Sequence, residues 1–475
     1  MSQTKTQTHT AAPEVITVPS NETATMWRDR DRITGQPIGR VLLRLAVPAV
    51  LSTFFTVVFE VVDMFWIGKL GPVSIAALST ASFYVWLLRG LGLVVATGSI
   101  AMIARRTGER DENAILTTIV DAVGATFLFS LGMIAIFFPI GMGIFQWIRL
   151  DPEVAATAVD YSIVFLSGLI FVYMMMTFEF MIRGLGDART PMFIMGIALF
   201  LNAVLDPIFI FPLGLGVKGA AFATILAQAV GAVLMAVVIF QKVPALRDLV
   251  LNRFTFSLKR FYKRFISILS IGGPAGLSDA GFSLIYLVLG GIVSIFGKEP
   301  LAAVGIAHRL EALLFFICLG FSMAVAPMVG QYLGAGEPEK AKQAVYLSLK
   351  ITAGILLGIS VLYFLFAPLL FSFFTRDRAI IAYGAGYLRI VATSEVFLAL
   401  EVVLGGAFAG AGDNRPPFFI TFPITLLRIP AAYFLAVSLG WGVRMIWVVI
   451  AVTTMMKGVF LLYWFNKGNW MKKKV

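Results

Sequence analysis

A few carboxylates, one amide and one hydroxyl lie inside long apolar stretches of this sequence. Glu60 and Asp63 are three residues apart, and Asn202 and Asp206 are four apart, so each pair shares a helical face. Thr224 supplies the hydroxyl. An ionised carboxylate at the centre of a bilayer costs about 3 kcal/mol, so an acid kept there needs a partner, a proton or a cation. Hard oxygen donors suit a proton or an alkali cation and suit soft transition metals poorly.

Asp206 is followed directly by Pro207. Proline removes one backbone hydrogen bond from a helix, which frees a carbonyl oxygen or lets the helix bend at that point. Asp206 therefore has two interpretations. It belongs to a cation or proton site, or it makes an ordinary hydrogen bond between helices.

The composition places these residues in a membrane protein. Of 475 residues, 59% are hydrophobic and 13% are charged, and the mean hydropathy is +0.90, which is too apolar for a soluble chain. The apolar runs are continuous, so a transmembrane barrel of alternating strands is excluded. We predict an all-α integral membrane protein with twelve transmembrane helices, near 44–68, 74–103, 114–140, 156–182, 191–213, 219–240, 268–296, 301–331, 344–370, 380–409, 416–439 and 442–465.

The basic residues predict the orientation of the chain. Loops on one side hold only seven Lys and Arg residues, whereas the segments of the other side, which carry both termini, hold 24. By the positive-inside rule both termini are cytoplasmic, and the chain belongs in the inner or plasma membrane. The net charge of +12 then reflects this bias and contact with membrane lipids rather than nucleic-acid binding. Residues 1–35 are predicted to be a disordered cytoplasmic tail, and 467–475 a basic one.

An internal repeat divides the chain. "PAVLS" at 48–52 returns as "PAGLS" at 274–278, and "GLGDARTPMFI" at 184–194 returns as "GAGDNRPPFFI" at 410–420, both displaced by 226 residues. Each copy holds six spans, so the two copies are parallel repeats around a central cavity. We predict an amino lobe at 36–240, a cytoplasmic linker at 241–267 and a carboxy lobe at 268–466.

The polar set in the spans does not follow the repeat. Asp63 corresponds to Leu289, Asn202 to Arg428, Asp206 to Ala432 and Thr224 to Ile450. Groups that only held helices together would be expected in both lobes. The sequence therefore predicts a coupling-ion site in the amino lobe alone.

These segments resemble the multidrug and toxic compound extrusion (MATE) family of cation-coupled efflux transporters. The resemblance rests on "VVDMFWIGKLG", "RGLGDARTP", "LNAVLDPIFIF" and "GVKGAAFAT", and it covers about residues 35–465. It implies that Asp63, Asn202, Asp206 and Thr224 bind H⁺ or Na⁺, and that Pro48 lets the first span bend. Glu60 joins this set through its spacing to Asp63 and departs from the family pattern. In another branch a carboxy-lobe acid pair does this work. Its tenth-span position falls here on Leu398, with Glu401 nearby, which departs from that pattern.

The expected function is export of small organic compounds by antiport with H⁺ or Na⁺, with no cofactor besides that ion. The acids favour amphipathic cations as cargo. Candidate cavity residues are aromatic, Met and acidic side chains of the spans: Phe54, Phe83, Trp86, Tyr173, Met174 and Glu311.

Other functions are weaker candidates. The arginines in the spans leave open a flippase for lipid-linked oligosaccharides. No catalytic triad, phosphate loop or metal motif is present, so an enzyme is not expected. With a lone Cys318 and two histidines, we predict no metal site beyond Na⁺ at Asp63, Asn202 and Asp206, and we expect a monomer.

Overall fold

The chain folds into long helices that run back and forth. The computed structural model describes residues 33–147, 151–249, 257–473 and 475. The first half contains α1 (Ile38–Gly68), α2 (Pro72–Glu109), α3 (Glu112–Trp147), α4 (Pro152–Ser167), α5 (Leu169–Gly184), α6 (Arg189–Ile210) and α7 (Val217–Lys242). The second contains the short α8 (Ala245–Asp248), then α9 (Leu258–Ser294), α10 (Lys298–Gly334), α11 (Pro338–Ser372), α12 (Arg378–Ala392), α13 (Glu395–Ala411), α14 (Arg415–Ala432) and α15 (Arg444–Asn466).

The predicted all-α membrane fold is confirmed. Ten helices of the described chain are long and apolar enough to span a membrane, and the count reaches twelve when each of two bent pairs is one span. Helix ends differ from the predicted ones by several residues. The largest shift is at α9, which begins at Leu258, so the last ten residues of the predicted linker are already part of the seventh span's helix. The predicted tail at 1–35 lies almost entirely outside the described residues.

The two bent spans occupy the same place in each repeat. The angle is 53° between α4 and α5 and 56° between α12 and α13. The first bend falls at Gly168 and the second at Thr393 and Ser394, and residue 394 is the repeat counterpart of residue 168. A side chain at Gly168 would collide with Ile225 of α7, so close packing of this bend requires glycine.

The loop before α6 is fixed by Asp187. This carboxylate accepts hydrogen bonds from the backbone N–H groups of Arg189 and Thr190 and from the Thr190 hydroxyl, and it pairs with Lys242 at 3.1 Å. Burial alone would raise the pKa of Asp187, but the bonds from Thr190 and Lys242 outweigh it and hold this pKa below its usual value. The conspicuous Asp of "GLGDARTP" is thus a structural anion that orients α6.

The lobes meet at the end of the bundle that carries both described termini, which we call the terminus end. There the backbones of α2 and the carboxy-lobe helices touch at glycines. A Cβ at Gly272 would collide with the carbonyl of Val94, and one at Gly108 with the carbonyl of Gln331. At the opposite, far end, Phe83 and Trp86 of α2 are 45% and 44% exposed. Close backbone contacts therefore join the lobes towards the terminus end, and Phe83 and Trp86 are exposed near the far end.

Helix α1 belongs to both lobes. Its first turns, including Val41 and Leu45, pack in one core cluster with Phe321 and Val325 of α10. The Thr53 hydroxyl donates to the carbonyl of Phe316 on α10, at 3.3 Å, whereas the end of α1 packs in the amino lobe. Any displacement of α1 therefore reaches the contact between the lobes.

The glycine contacts make a testable prediction. Gly272→Ala forces a methyl group into the carbonyl of Val94 and is expected to lower the free energy of unfolding by about 1–3 kcal/mol. Gly273→Ala is the matched control, since a Cβ there meets nothing within 4 Å, and helix propensity should raise stability by about 1 kcal/mol. Thermal unfolding of the purified chains separates the two, and equal melting temperatures would contradict the close approach.

Candidate functional site

Four of the predicted site residues form one buried cluster in the amino lobe. Asp63 comes from α1, Asn202 and Asp206 from α6, and Thr224 from α7. The Thr224 hydroxyl donates to Asp63 Oδ2 at 3.3 Å, and Asn202 Nδ2 donates to Asp206 Oδ1 at 3.2 Å and contacts Thr224 Oγ1 at 3.4 Å. Their exposed fractions are 7% for Asp63, 2% for Thr224 and 0% for the other two. We call these residues the amino-lobe cluster.

The amino-lobe cluster has more acceptors than donors. Asp63 Oδ1, Asn202 Oδ1 and Asp206 Oδ2 are buried and have no hydrogen-bond partner. Among the described residues no Lys or Arg lies within ion-pair distance of either carboxylate. Two acids without a counter-charge in an apolar interior are unfavourable unless a proton or a cation joins them. The arrangement therefore has the chemistry of a cation or proton site.

Glu60 is placed outside this cluster. It lies one turn before Asp63 on α1 but is exposed, and its carboxylate accepts a hydrogen bond from Trp86 Nε1 at 3.0 Å. Shared helical spacing predicted a pair with Asp63, but a separation of three residues turns the two side chains about 60° apart. This rotation about the helix axis directs the Asp63 carboxylate inward and leaves the Glu60 carboxylate exposed near the far end.

A cavity of about 180 Å³ lies between the amino lobe and α10. Its wall combines apolar and aromatic side chains with hydroxyls, an amide and a few charged groups. The wall includes Phe55, Thr56, Arg89, Met176, Glu179, Arg183, Gln228 and Met323. Because α1 also contributes Ser52, Thr53 and Phe59, the helix that carries Asp63 forms part of the cavity wall.

One ion pair is built into the cavity wall. Arg183 Nη2 donates to Glu179 Oε1 at 2.5 Å, one turn apart on α5, and the Arg183 side chain is only 1% exposed. Arg183 Nη1 also contacts the Met323 sulfur of α10 at 2.7 Å. The pair is neutral as a unit and ties α5 to the opposite lobe. The sequence signal for it was the Glu and Arg spacing of four, which sequence reasoning did not use.

The carboxy lobe fills the equivalent place with an arginine. Arg428, the repeat counterpart of Asn202, is 1% exposed and donates to Thr453, Thr454 and Tyr286 at 2.7–2.8 Å. A fourth contact reaches the carbonyl of Ile450, the counterpart of Thr224. A fixed guanidinium therefore occupies the carboxy-lobe position that matches the amino-lobe cluster.

Other acids of the carboxy lobe are distributed around that arginine. Glu401 pairs with the buried Lys457 at 2.8 Å. Glu311 accepts from the Tyr387 hydroxyl at 2.9 Å and lies 4.0 Å from His308 Nε2. Glu395 is 2% exposed, and one of its oxygens has no partner.

The repeat provides the decisive comparison. The family model described as MatE matches the chain twice, at residues 48–208 and 274–434, with the same displacement of 226 residues between the copies. The chain belongs to the MatE family. It is therefore a multi-pass membrane transporter and not an enzyme.

Relatives and solved structures agree with the MatE assignment over nearly the whole chain. A probable multidrug resistance protein NorM of Thermotoga maritima is 29% identical, covering 92% of this chain and 94% of that protein. An FAD transporter of Shewanella oneidensis is 26% identical, over 92% of this chain and 96% of its own. A structure described as the outward-facing conformation of a multidrug resistance MATE family transporter is 26% identical, with a TM-score of 0.85 over 94% of this chain and 99% of that one. These names support multidrug efflux and do not favour the flippase alternative.

The candidate cavity residues lie elsewhere in this MatE fold. Phe83 and Trp86 are exposed near the far end, and Glu311 lies in the carboxy lobe. Tyr173 is 1% exposed and donates to the carbonyl of Leu88 at 2.6 Å. None of these lines the 180 Å³ cavity, nor do Phe54 and Met174. Composition alone does not tell which face of a helix turns towards the cavity, because that depends on packing.

The Thr224 hydroxyl provides the prediction for this site. Thr224→Val keeps the shape but removes the donor to Asp63 and the acceptor for Asn202, so we expect about 1–3 kcal/mol of destabilisation. Thr224→Ser is the control and should stay close to the parent chain. Thermal unfolding measures both, and a Val variant as stable as the Ser variant would show that the hydroxyl does not hold the amino-lobe cluster together.

Proposed function

We propose that this MatE protein exports organic, amphipathic compounds by antiport with H⁺ or Na⁺, and that the ion binds in the amino-lobe cluster. One observation carries the proposal. Asp63 and Asp206 lie buried together, three oxygen atoms of the amino-lobe cluster lack donors, and no described Lys or Arg forms an ion pair with either carboxylate. A proton or Na⁺ supplies the missing partner.

The ion would act through α1. A cation shared by Asp63 and Asp206 draws α1 towards α6 and α7, and α1 also lines the cavity and bonds to α10 through Thr53. Ten residues of helix between Asp63 and Thr53 span about 15 Å, so a tilt at the cluster reaches the contact between the lobes. Pro48 and Pro207 lie inside α1 and α6, where each weakens the helix enough to bend.

The membrane potential supplies enough free energy to export a cargo against its gradient. One cation that moves inward through 100 mV supplies about 2.3 kcal/mol, which sustains a gradient of roughly fiftyfold for a neutral cargo. We propose that the termini face the cytoplasm of a cell whose inner or plasma membrane holds the protein as a monomer among lipids. In this orientation the far end faces the outside, and the ion enters from there.

The cargo is expected to carry a positive group. Glu60 lies beside the indole of Trp86. Glu311 accepts a hydrogen bond from Tyr387 and lies near His308. The rings of Tyr286 and Tyr387 are 5.5 and 6.1 Å from the His308 ring. A carboxylate next to aromatic faces is a common arrangement for organic ammonium groups. Relatives are named for drug resistance and for FAD transport, so we expect the cavity of each chain to determine which cargo it accepts.

The test uses proteoliposomes with an imposed pH or sodium gradient and a panel of fluorescent organic cations. Asp206→Asn keeps the shape of the cluster but removes one charge, so gradient-driven transport should fall at least tenfold. Asp160→Asn is the matched control, because this half-exposed carboxylate pairs only with Lys218 near the far end. The gradient that the parent chain requires identifies the ion. Full gradient-driven transport by Asp206→Asn would overturn the proposal.

A further inference from the structure

Residues 469–475, which follow α15, cross from the carboxy lobe to the amino lobe, and we call them the strap. The first part of the strap is a single 3₁₀ turn, Asn469–Lys472, that is fixed to the carboxy lobe. Trp470 is 1% exposed, its ring stacks on that of Phe465 at 4.7 Å, and its Nε1 donates to the carbonyl of Phe465 at 2.9 Å. Met471 packs against the same carboxy-lobe core.

The second part of the strap is held by two arginines near the end of α2. Arg105 donates to the carbonyl of Lys473, and Arg106 Nη2 donates to the carbonyl of Val475 at 3.0 Å. The Val475 side chain packs against the core of the amino lobe and also lies against Gly412 of the carboxy lobe, where a Cβ would collide with it. The strap therefore touches both lobes at the terminus end.

The internal repeat shows that this crossing is not part of the shared scaffold. The counterpart of the strap is the segment 243–249, whose apolar side chains are buried in the core of their own lobe. In the amino lobe Asp187 pairs with Lys242 at the end of α7, whereas the equivalent Asp413 lies 3.8 Å from Lys473 of the strap. The carboxy-lobe copy thus connects its loop acid to a segment that also reaches the other lobe.

The length of the strap limits how far the lobes can separate at the terminus end. Three residues lead from Trp470 to Lys473, and a fully extended chain of that length reaches about 10 Å. Hydrogen bonds from a guanidinium to a carbonyl are stronger than those between neutral groups. A wide opening at the terminus end therefore requires that the arginine bonds break or that Trp470 leaves its buried site.

We propose that the strap stabilises the arrangement in which the lobes touch at the terminus end, and that it detaches from Arg105 and Arg106 whenever that end opens. In the orientation proposed above, the terminus end faces the cytoplasm. The strap then controls how often the space between the lobes becomes accessible from inside the cell. This role goes beyond the proposed export function and does not depend on which ion or cargo the protein binds.

The test measures the distance between spin labels at positions 241 and 339 of the full chain, on α7 and α11, in a Cys318→Ser background. A double variant, Arg105→Gln with Arg106→Gln, removes both guanidinium groups from α2 and leaves polar side chains there. The population with the lobes apart should rise about tenfold relative to the parent, because one hydrogen bond from a charged donor is worth at least about that factor.

The matched control is Glu109→Gln on the same helix. Glu109 Oε2 accepts from Arg106 Nη1 at 2.6 Å, and Glu109 Oε1 lies 3.8 Å from Arg105 Nε. The substitution removes the acidic neighbour of both arginines but leaves their bonds to the strap in place. Glu109→Gln should therefore keep the distance distribution of the parent chain.

A second pair of variants changes the strap and leaves α2 intact, which keeps the test decisive if the arginine variant does not fold. Val475→Ser removes apolar contact with both lobes and should raise the separated population roughly threefold. Lys472→Gln is its control, because the Lys472 side chain is exposed and bonds to no residue in the described part of the chain. That control should match the parent.

Two results would overturn the proposal. An unchanged distance distribution in the arginine variant, or in Val475→Ser where the arginine variant does not fold, would make the strap a cap on the carboxy lobe alone. A shift of equal size in Glu109→Gln would assign the effect to α2 itself. Because the readout is a distance and needs no cargo, a failure of gradient-driven transport would count against the proposed export function and not against the strap.

Discussion

The constraint on which the rest of the structure depends is the burial of two carboxylates that have no fixed counter-cation. Asp63 and Asp206 are 7% and 0% exposed, and their available donors are one hydroxyl and one amide. In a low-dielectric interior the charged pair is stable only with a proton or a cation between them. Three helices meet at this point, so the occupancy of one small site acts on α1, α6 and α7 together.

The carboxy lobe has a cation of its own at the position equivalent to the amino-lobe cluster. Its counterpart position holds Arg428, a guanidinium that is permanently part of the chain and fully bonded to hydroxyls and a carbonyl. A covalently attached cation cannot leave, so on the proposed mechanism the exchangeable ion acts on the amino lobe. The asymmetry explains why α1, which packs on α10 through Thr53, is the natural connection between ion binding and rearrangement of the lobes.

Much of this followed from the sequence, because apolar length, turn residues and the 226-residue repeat are local or periodic signals. The cluster was also predictable, since Asn202 and Asp206 share a face and Asp63 lacks a repeat partner. Details that depend on the rotation of a helix about its axis were not predictable from the sequence. Glu60 lies only three residues from Asp63 yet bonds to Trp86, and Tyr173 is buried rather than in the cavity.

On the proposed mechanism, an ion in the amino-lobe cluster, and not at the carboxy-lobe acids, changes the separation of the lobes. Spin labels at positions 241 and 339, at the terminus end of opposite lobes in a Cys318→Ser background, report that separation by electron-electron resonance. We predict that the distance distribution shifts when protons or Na⁺ are added, that Asp63→Asn abolishes the shift and that Glu395→Gln retains it. A shift that survives Asp63→Asn and disappears with Glu395→Gln would contradict the account.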